Sequence, residues 1–188
     1  MCLEDSEIVR LYWARSESAI EETANKYGGY CMKIAVNILD DEEDAKECVT
    51  DAYFQVWESV PPNTPSFLSV YLGKITRNLA LNRMKYLNRQ KRGGKTAKLI
   101  FEEIEDCIPD GQDTEKQFDD RYIAELINAY LKKLPEEDCS LFLRRYWYFD
   151  SIKEIALRYS VSESRVKSRL HRMRKKLKAA LEEGGVVL

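Results

Sequence analysis

One histidine, eight glycines and five prolines are all that these 188 residues contain of those types. No apolar run approaches the roughly 18 residues that a membrane span requires. Five cysteines (Cys2, Cys31, Cys48, Cys107 and Cys139) are scattered with no C-x-x-C spacing. An odd, dispersed set beside a single histidine argues against a zinc or disulfide framework, and Cys31 and Cys48 read as small core residues. The start of the chain, Met1 to Glu7, is acidic and unlike a secretory signal, so a cytoplasmic protein without a membrane span is expected. No metal spacing, phosphate loop or catalytic constellation is present, so neither an enzyme nor a cofactor is expected. Scarce glycine and proline, with almost no strand-type alternation, leave an all-α chain.

Carboxylates are absent from two long stretches. Between Glu58 and Glu102 there is none, while Lys74, Arg77, Arg83, Lys85, Arg89, Lys91, Arg92, Lys95 and Lys98 all fall there. From Ser164 to Lys178 there is again none, against eight Lys or Arg side chains. Between these stretches the sign reverses: nine acids lie from Glu102 to Asp120, opposed by Lys116 alone. A net charge of −2 therefore conceals two cationic surfaces separated by an acidic segment, a pattern suited to a polyanion.

The second cationic stretch is amphipathic. Val166, Leu170, Met173 and Leu177 recur at helical spacing, and Ser164, Lys167, Ser168, His171, Arg172 and Lys175 lie around the opposite side. Just before it, Ser151 and Glu154 have capping-box spacing. Ile152, Ile155, Ala156 and Tyr159 follow as an apolar face, and Ser160-Val161-Ser162 is a short turn. This is a helix-turn-helix whose second helix fits a major groove. A basic helix meant for calmodulin or a membrane surface stays open as an alternative, although neither requires the capped helix and turn.

Upstream, the spacing predicts a helix from about Ser6 (Ile8, Leu11, Tyr12), a second from Ser16 to Tyr27, and a break at Gly28-Gly29. A third carries Cys31, Ile34, Ala35 and Ile38 to a stop at Asp40-Asp41. A fourth, about Glu42 to Val60, packs Ala45, Cys48, Val49, Ala52 and Val56 and shows Asp44, Glu47, Asp51 and Gln55 on its other side. The prolines of residues 61–65 cannot continue a helix. A long basic helix follows from Ser66 to about Lys91, with Phe67, Val70, Tyr71, Ile75, Leu79 and Met84 among its apolar or aromatic positions. Two small helical domains, 1–92 and 120–188, are thus expected, joined by an acidic linker at 93–119 that contains the turn signal Pro109-Asp110-Gly111.

Four segments carry a family resemblance. Asp41-Glu-Glu-Asp-Ala-Lys-Glu-Cys-Val-Thr-Asp-Ala-Tyr-Phe-Gln-Val-Trp57 resembles the polymerase-clamp helix of extracytoplasmic-function sigma factors, the smallest class of the sigma-70 family. Tyr71-Leu-Gly-Lys-Ile-Thr-Arg-Asn-Leu-Ala80 resembles that class's promoter-melting and −10 helix. Leu134-Pro135 with Glu154-Ile155-Ala156 resembles the opening of region four, and the stretch from Val166 to Leu177 resembles the −35 recognition helix. The chain departs from the pattern at Thr50 (usually glutamine), Tyr71 (commonly tryptophan), Asn82 (commonly aspartate) and Ser164-Arg165 (usually Gly-Thr).

The resemblance implies a sigma factor that binds core RNA polymerase through its β′ clamp and β flap and directs it to promoter DNA. Asp44, Glu47, Thr50, Asp51 and Gln55 would meet the clamp. Asn63, Phe67, Tyr71, Lys74, Arg77, Asn78 and Asn82 would hold and melt the −10 element, because aromatics beside cations stack unpaired bases while following the backbone. A core position is the alternative reading for Phe67 and, less readily, for Tyr71. Lys167, Ser168, His171 and Arg172 would read −35 base edges, with Ser164, Arg165 and Lys175 on phosphates. The linker would thread the RNA exit path. The sequence leaves open an anti-sigma factor as a further partner, and a DNA-binding regulator that never joins polymerase as a second reading.

Overall fold

A computed structural model describes residues 3–89, 95–105 and 120–186 of the chain, and among these every regular element is a helix. The expected turn at Pro109-Asp110-Gly111, the Gly93-Gly94 boundary, Cys2 and Cys107 lie outside the described residues. The chain divides into two units, residues 1–97 and 98–188.

The first unit is built from α1 (Asp5–Trp13), α2 (Ser18–Leu39), α3 (Glu42–Ser59) and α4 (Leu68–Arg89), with α2 packed against each of the other three. Ile8, Tyr12, Ile34, Ile38, Ala45, Val56, Leu68 and Leu72 are among the fully enclosed core side chains. In α1, Val9 is buried where Leu11 was expected to be, and Leu11 is half-exposed. The break expected at Gly28-Gly29 does not occur, and α2 runs through both glycines as one helix of 22 residues. Two glycines cost a helix about 2 kcal/mol relative to alanine. Burial of Thr23, Cys31, Ile34, Ala35 and Ile38 along the same helix outweighs that cost. A further glycine, Gly73 of α4, is required by packing, since a side chain there would collide with Tyr30 of α2.

The expected stop at Asp40-Asp41 is built from both residues. Asp40 adopts the left-handed conformation (φ 55°) that ends α2, and Asp41 caps α3 by accepting the Glu43 and Asp44 amides at 2.9 Å each. Glu42, Glu43 and Asp44 then place negative charge in the first turn, favourable to the helix dipole. Cys31 and Cys48 are buried as read, and burial pushes their thiols up to about 11 and about 12.

The second unit contains most of α5 (Lys95–Glu105), then α6 (Asp120–Lys133), α7 (Glu136–Tyr146), α8 (Ile152–Arg158) and α9 (Glu163–Glu183), which packs on α6, α7 and α8. Leu141, Phe149, Ile155, Val166, Leu170, Met173 and Leu177 form its core. At α8, Ser151 Oγ accepts the Glu154 amide (3.2 Å) and the Glu154 carboxylate accepts the Ser151 amide (2.8 Å), so the expected capping box is formed. Ser160, at φ 52°, makes the turn, and Ser162 Oγ caps α9 by accepting the Arg165 amide. The helix-turn-helix is therefore capped at both of its helices.

Helix α5 lies within the segment expected to be an acidic linker. Counting charge obscured an apolar pattern at Ala97, Ile100, Phe101 and Ile104, whose spacings of three, one and three fit a helix. Ile100 is buried, and Phe101 meets Phe149 edge-on with ring centroids 5.7 Å apart. Glu103, counted as linker charge, is the counter-ion of Arg145 on α7. The guanidinium Nε donates to Glu103 Oε2 at 3.1 Å and Nη2 binds Oε1, while Arg145 itself is only 5% exposed.

Removing one member of a buried pair strands the other. Arg145→Ala is therefore expected to destabilise the second unit by about 3 kcal/mol, the low end for such pairs because Glu103 keeps some solvent contact. Urea unfolding monitored on that unit checks this. Lys98→Ala, whose contact with Glu102 is exposed, is expected to change it by less than about 0.5 kcal/mol.

Candidate nucleic-acid and protein interfaces

Along α9 the buried stripe fixes which cations face outward. Val166, Leu170, Met173, Leu177 and Leu181 face the core, and Ser164, Arg165, Lys167, Ser168, His171, Arg172 and Lys175 are all exposed. Two further arginines of the same basic run are withdrawn from that face. Arg169 donates from Nε to Asp138 (2.8 Å) and from Nη1 to Glu137 (2.9 Å), two acids in the first turn of α7. The hydrogen bond from Arg169 holds the Glu137 carboxyl below its usual range and raises the guanidinium in turn. Arg174 donates to the Tyr146 hydroxyl at 2.6 Å and lies 3.6 Å from Glu103. Burial pushes that hydroxyl up to about 12, against the opposing pull of Arg174. Counting charge along the sequence could not separate these two groups of cations. An open groove of about 530 Å³ lies beside the face, with Lys133, Arg172 and Lys176 on its walls and Tyr130, Leu134 and Met173 among its apolar lining.

In the first unit α4 has two contrasting stripes. Leu68, Leu72, Thr76, Ala80 and Met84, four residues apart, are buried. Phe67, Tyr71, Lys74, Asn78 and Asn82, spaced by four, three, four and four, share the outward side. Phe67 is 71% exposed, which removes the core reading for it. Tyr71 is half-buried, and its hydroxyl donates to Ser59 Oγ at 2.9 Å. Asn63 is exposed and donates from Nδ2 to the Ser59 carbonyl at 2.9 Å. Ser59, which nothing in the sequence singled out, thus draws the proline loop and Tyr71 to one point. Arg77 departs from the group: it sits half-buried on the flank of α4, where burial lowers its pKa.

On α3, Glu47, Thr50, Asp51 and Gln55 are exposed and Asp44 is half-buried. The carboxylates are not all equally available. Arg83 of α4 donates to Asp44 Oδ1 from Nη2 (2.6 Å) and Nε (3.1 Å), and its Nη2 lies 3.3 Å from Glu47. Asp44 holds the guanidinium more firmly protonated. Phe54, three residues after Asp51 and hence on the same side, is 59% exposed. Both Arg83 and Phe54 were missed. Phe54 was detectable as an aromatic out of phase with the buried stripe, whereas the reach of Arg83 to α3 depends on tertiary packing.

Residues 24–92, containing α3 and α4, match the family model for sigma-70 region 2, and residues 130–179, containing the helix-turn-helix, match that for sigma-70 region 4. The chain belongs to the sigma-70 family. It is a sigma factor of transcription initiation, from a family whose members are regulatory, with RNA polymerase and promoter DNA as the partners that its two sigma-70 regions imply. This sigma factor is also similar to a solved structure, that of CnrH in complex with the cytosolic domain of CnrY. The identity is 18% and the TM-score 0.43, over 95% of this chain and 97% of the other. No curated protein sequence matches it. No helix among the described residues is long and apolar enough to cross a membrane.

The division of α9 cations has a direct consequence for stability. Arg169→Ala leaves Glu137 and Asp138 without their donor and is expected to cost about 1–3 kcal/mol. Arg172→Ala, on the exposed side, is expected to stay within about 0.5 kcal/mol of the parent. Thermal or urea melts of the two variants, compared side by side, check this.

Proposed function

We propose that this chain is a sigma factor of the extracytoplasmic-function type that directs core polymerase to promoters by reading both the −10 and the −35 element. Only residues 93–129 separate the region 2 match from the region 4 match, a succession that fits the class lacking the intervening region. The exposed α9 side supplies the −35 contacts. Arg172, with Lys167, is suited to bidentate bonding with guanine O6 and N7, Ser168 and His171 to base edges or phosphate, and Ser164, Arg165 and Lys175 to phosphates. The observation that carries the reading is that these side chains face solvent while Arg169 and Arg174 are bound to acids within the fold.

On α4 the stripe from Phe67 to Asn82 offers an aromatic surface, a cation and two amides in a row, the mixture a melted strand needs. Asn78 carries both a donor and an acceptor toward a base edge. Asn63 places the proline loop at the same end of this stripe. The half-buried Arg77 is better suited to supporting the helix from its flank than to holding a base. On α3, Asp51, Gln55 and Thr50, with Phe54, form the open part of a surface for the basic β′ clamp, and Asp44 and Glu47 join it once Arg83 yields. The apolar lining of the groove by Tyr130, Leu134 and Met173 suits the β flap.

Transcription in vitro tests the reading. Core polymerase plus this chain is expected to initiate at specific promoters of the chain's own genome, and Arg172→Ala to weaken promoter binding by about 1–3 kcal/mol if a base contact is lost. A specific footprint made by the chain alone, with no effect of added core enzyme, would instead indicate a regulator that works without polymerase.

A further inference from the structure

We propose that Asp5 is a positioning residue for promoter opening, setting Phe67 on the −10 side through the first turn of α4. The inference rests on the reading of α4 given above. The cap of α4 is unusual. The Leu68 amide is one of the first-turn donors that a helix leaves without an internal partner. The first turn of α4 contains no acidic residue. Its donor is met from another helix: Asp5 Oδ2, at the start of α1, accepts the Leu68 amide at 3.1 Å across 63 residues of sequence.

The other carboxylate oxygen is anchored to α2. Asp5 Oδ1 accepts from Lys26 Nζ at 2.8 Å and from the Tyr27 hydroxyl, and Lys26 Nζ also donates to the Leu3 carbonyl at 2.6 Å. One side chain therefore joins α1, α2 and α4. Burial alone would raise its pKa, but the hydrogen bonds from Lys26 and Tyr27 and the charge of Lys26 leave it lowered, so it bears full charge at neutral pH. A fixed negative charge at that point also favours the α4 dipole.

Its effect falls at the junction between loop and helix. Leu68 is fully buried, and Phe67, the residue before it, is 71% exposed. The peptide joining them is held at both of its polar groups, its amide by Asp5 and its carbonyl by the Tyr71 amide at 3.1 Å, which fixes the backbone that follows the Phe67 ring. Without Asp5 the first turn can fray and the ring loses its fixed direction, while the α3 surface for the polymerase is untouched.

A double-mutant cycle in reconstituted holoenzyme tests this, with permanganate reactivity of promoter thymines and opening rate as readouts and core affinity as control. Asp5→Ala is expected to slow opening roughly three- to tenfold, the range expected from a lost cap. Core binding should stay within about twofold, and Asp5→Asn, which keeps an acceptor for the Leu68 amide but loses the one for Lys26, should recover part of the rate. In a Phe67→Ala background, Asp5→Ala is expected to add nothing. Should Asp5→Ala fail to fold, Tyr27→Phe takes its place in the cycle. Impaired opening by Phe67→Ala with none by Asp5→Ala, or fully additive losses, would overturn the role of Asp5 alone. Normal opening by Phe67→Ala would overturn both this role and the −10 reading of Phe67.

Discussion

Arg169 lies two residues from Lys167 and three from Arg172 on the same helix, yet Glu137 and Asp138 close over its guanidinium. Arg174, next to Lys175, is held by Tyr146 and Glu103. Arg83, next to Asn82, is held by Asp44 and Glu47. In each unit carboxylates from a neighbouring helix neutralise particular cations of the basic helix and leave others on its exposed side. A chain with nearly equal numbers of acids and bases thereby keeps two directional positive surfaces. The acids needed for this come from α3, α5 and α7, so the same residues that hold the fold also determine which cations can meet phosphate.

The neutralising contacts are also packing contacts. Glu103 brings α5 against α7 and α9, and Arg145 could not be as deeply buried without it. Asp5 has the same character in the first unit, tying α1 and α2 to the first turn of α4. Positioning and charge assignment are thus done by the same handful of ion pairs. Their weight comes from partial burial, since fully exposed pairs such as Lys98–Glu102 contribute little.

Periodicity made much of this readable from residues alone. The stripe Val166–Leu170–Met173–Leu177, the Ser151–Glu154 box and the Asp40-Asp41 boundary are local patterns, and the structure forms them where the spacing puts them. What stayed hidden is tertiary. Gly28-Gly29 resembles a break because propensity is local, whereas packing against α3 and α4 keeps α2 continuous. Helix α5 was obscured because acid counting outweighed four apolar residues. The core stripe of α4 runs through Leu68, Leu72, Thr76 and Ala80, where a hydroxyl and a small side chain weaken the apolar signal, so Phe67 could not be assigned to core or surface. Nothing local indicates that Ser59 gathers Asn63 and Tyr71, or that Arg169 differs from Arg172.

The salt dependence of promoter binding by the reconstituted holoenzyme measures the central claim, because each cation that neutralises a phosphate contributes about 0.9 to the slope of log affinity against log salt. Lys175→Ala should reduce that slope by about this amount, and Arg174→Met, which removes a cation already bound to acids within the fold, should leave it unchanged. Equal reductions from the two variants, or a reduction from Arg174→Met alone, would contradict the account.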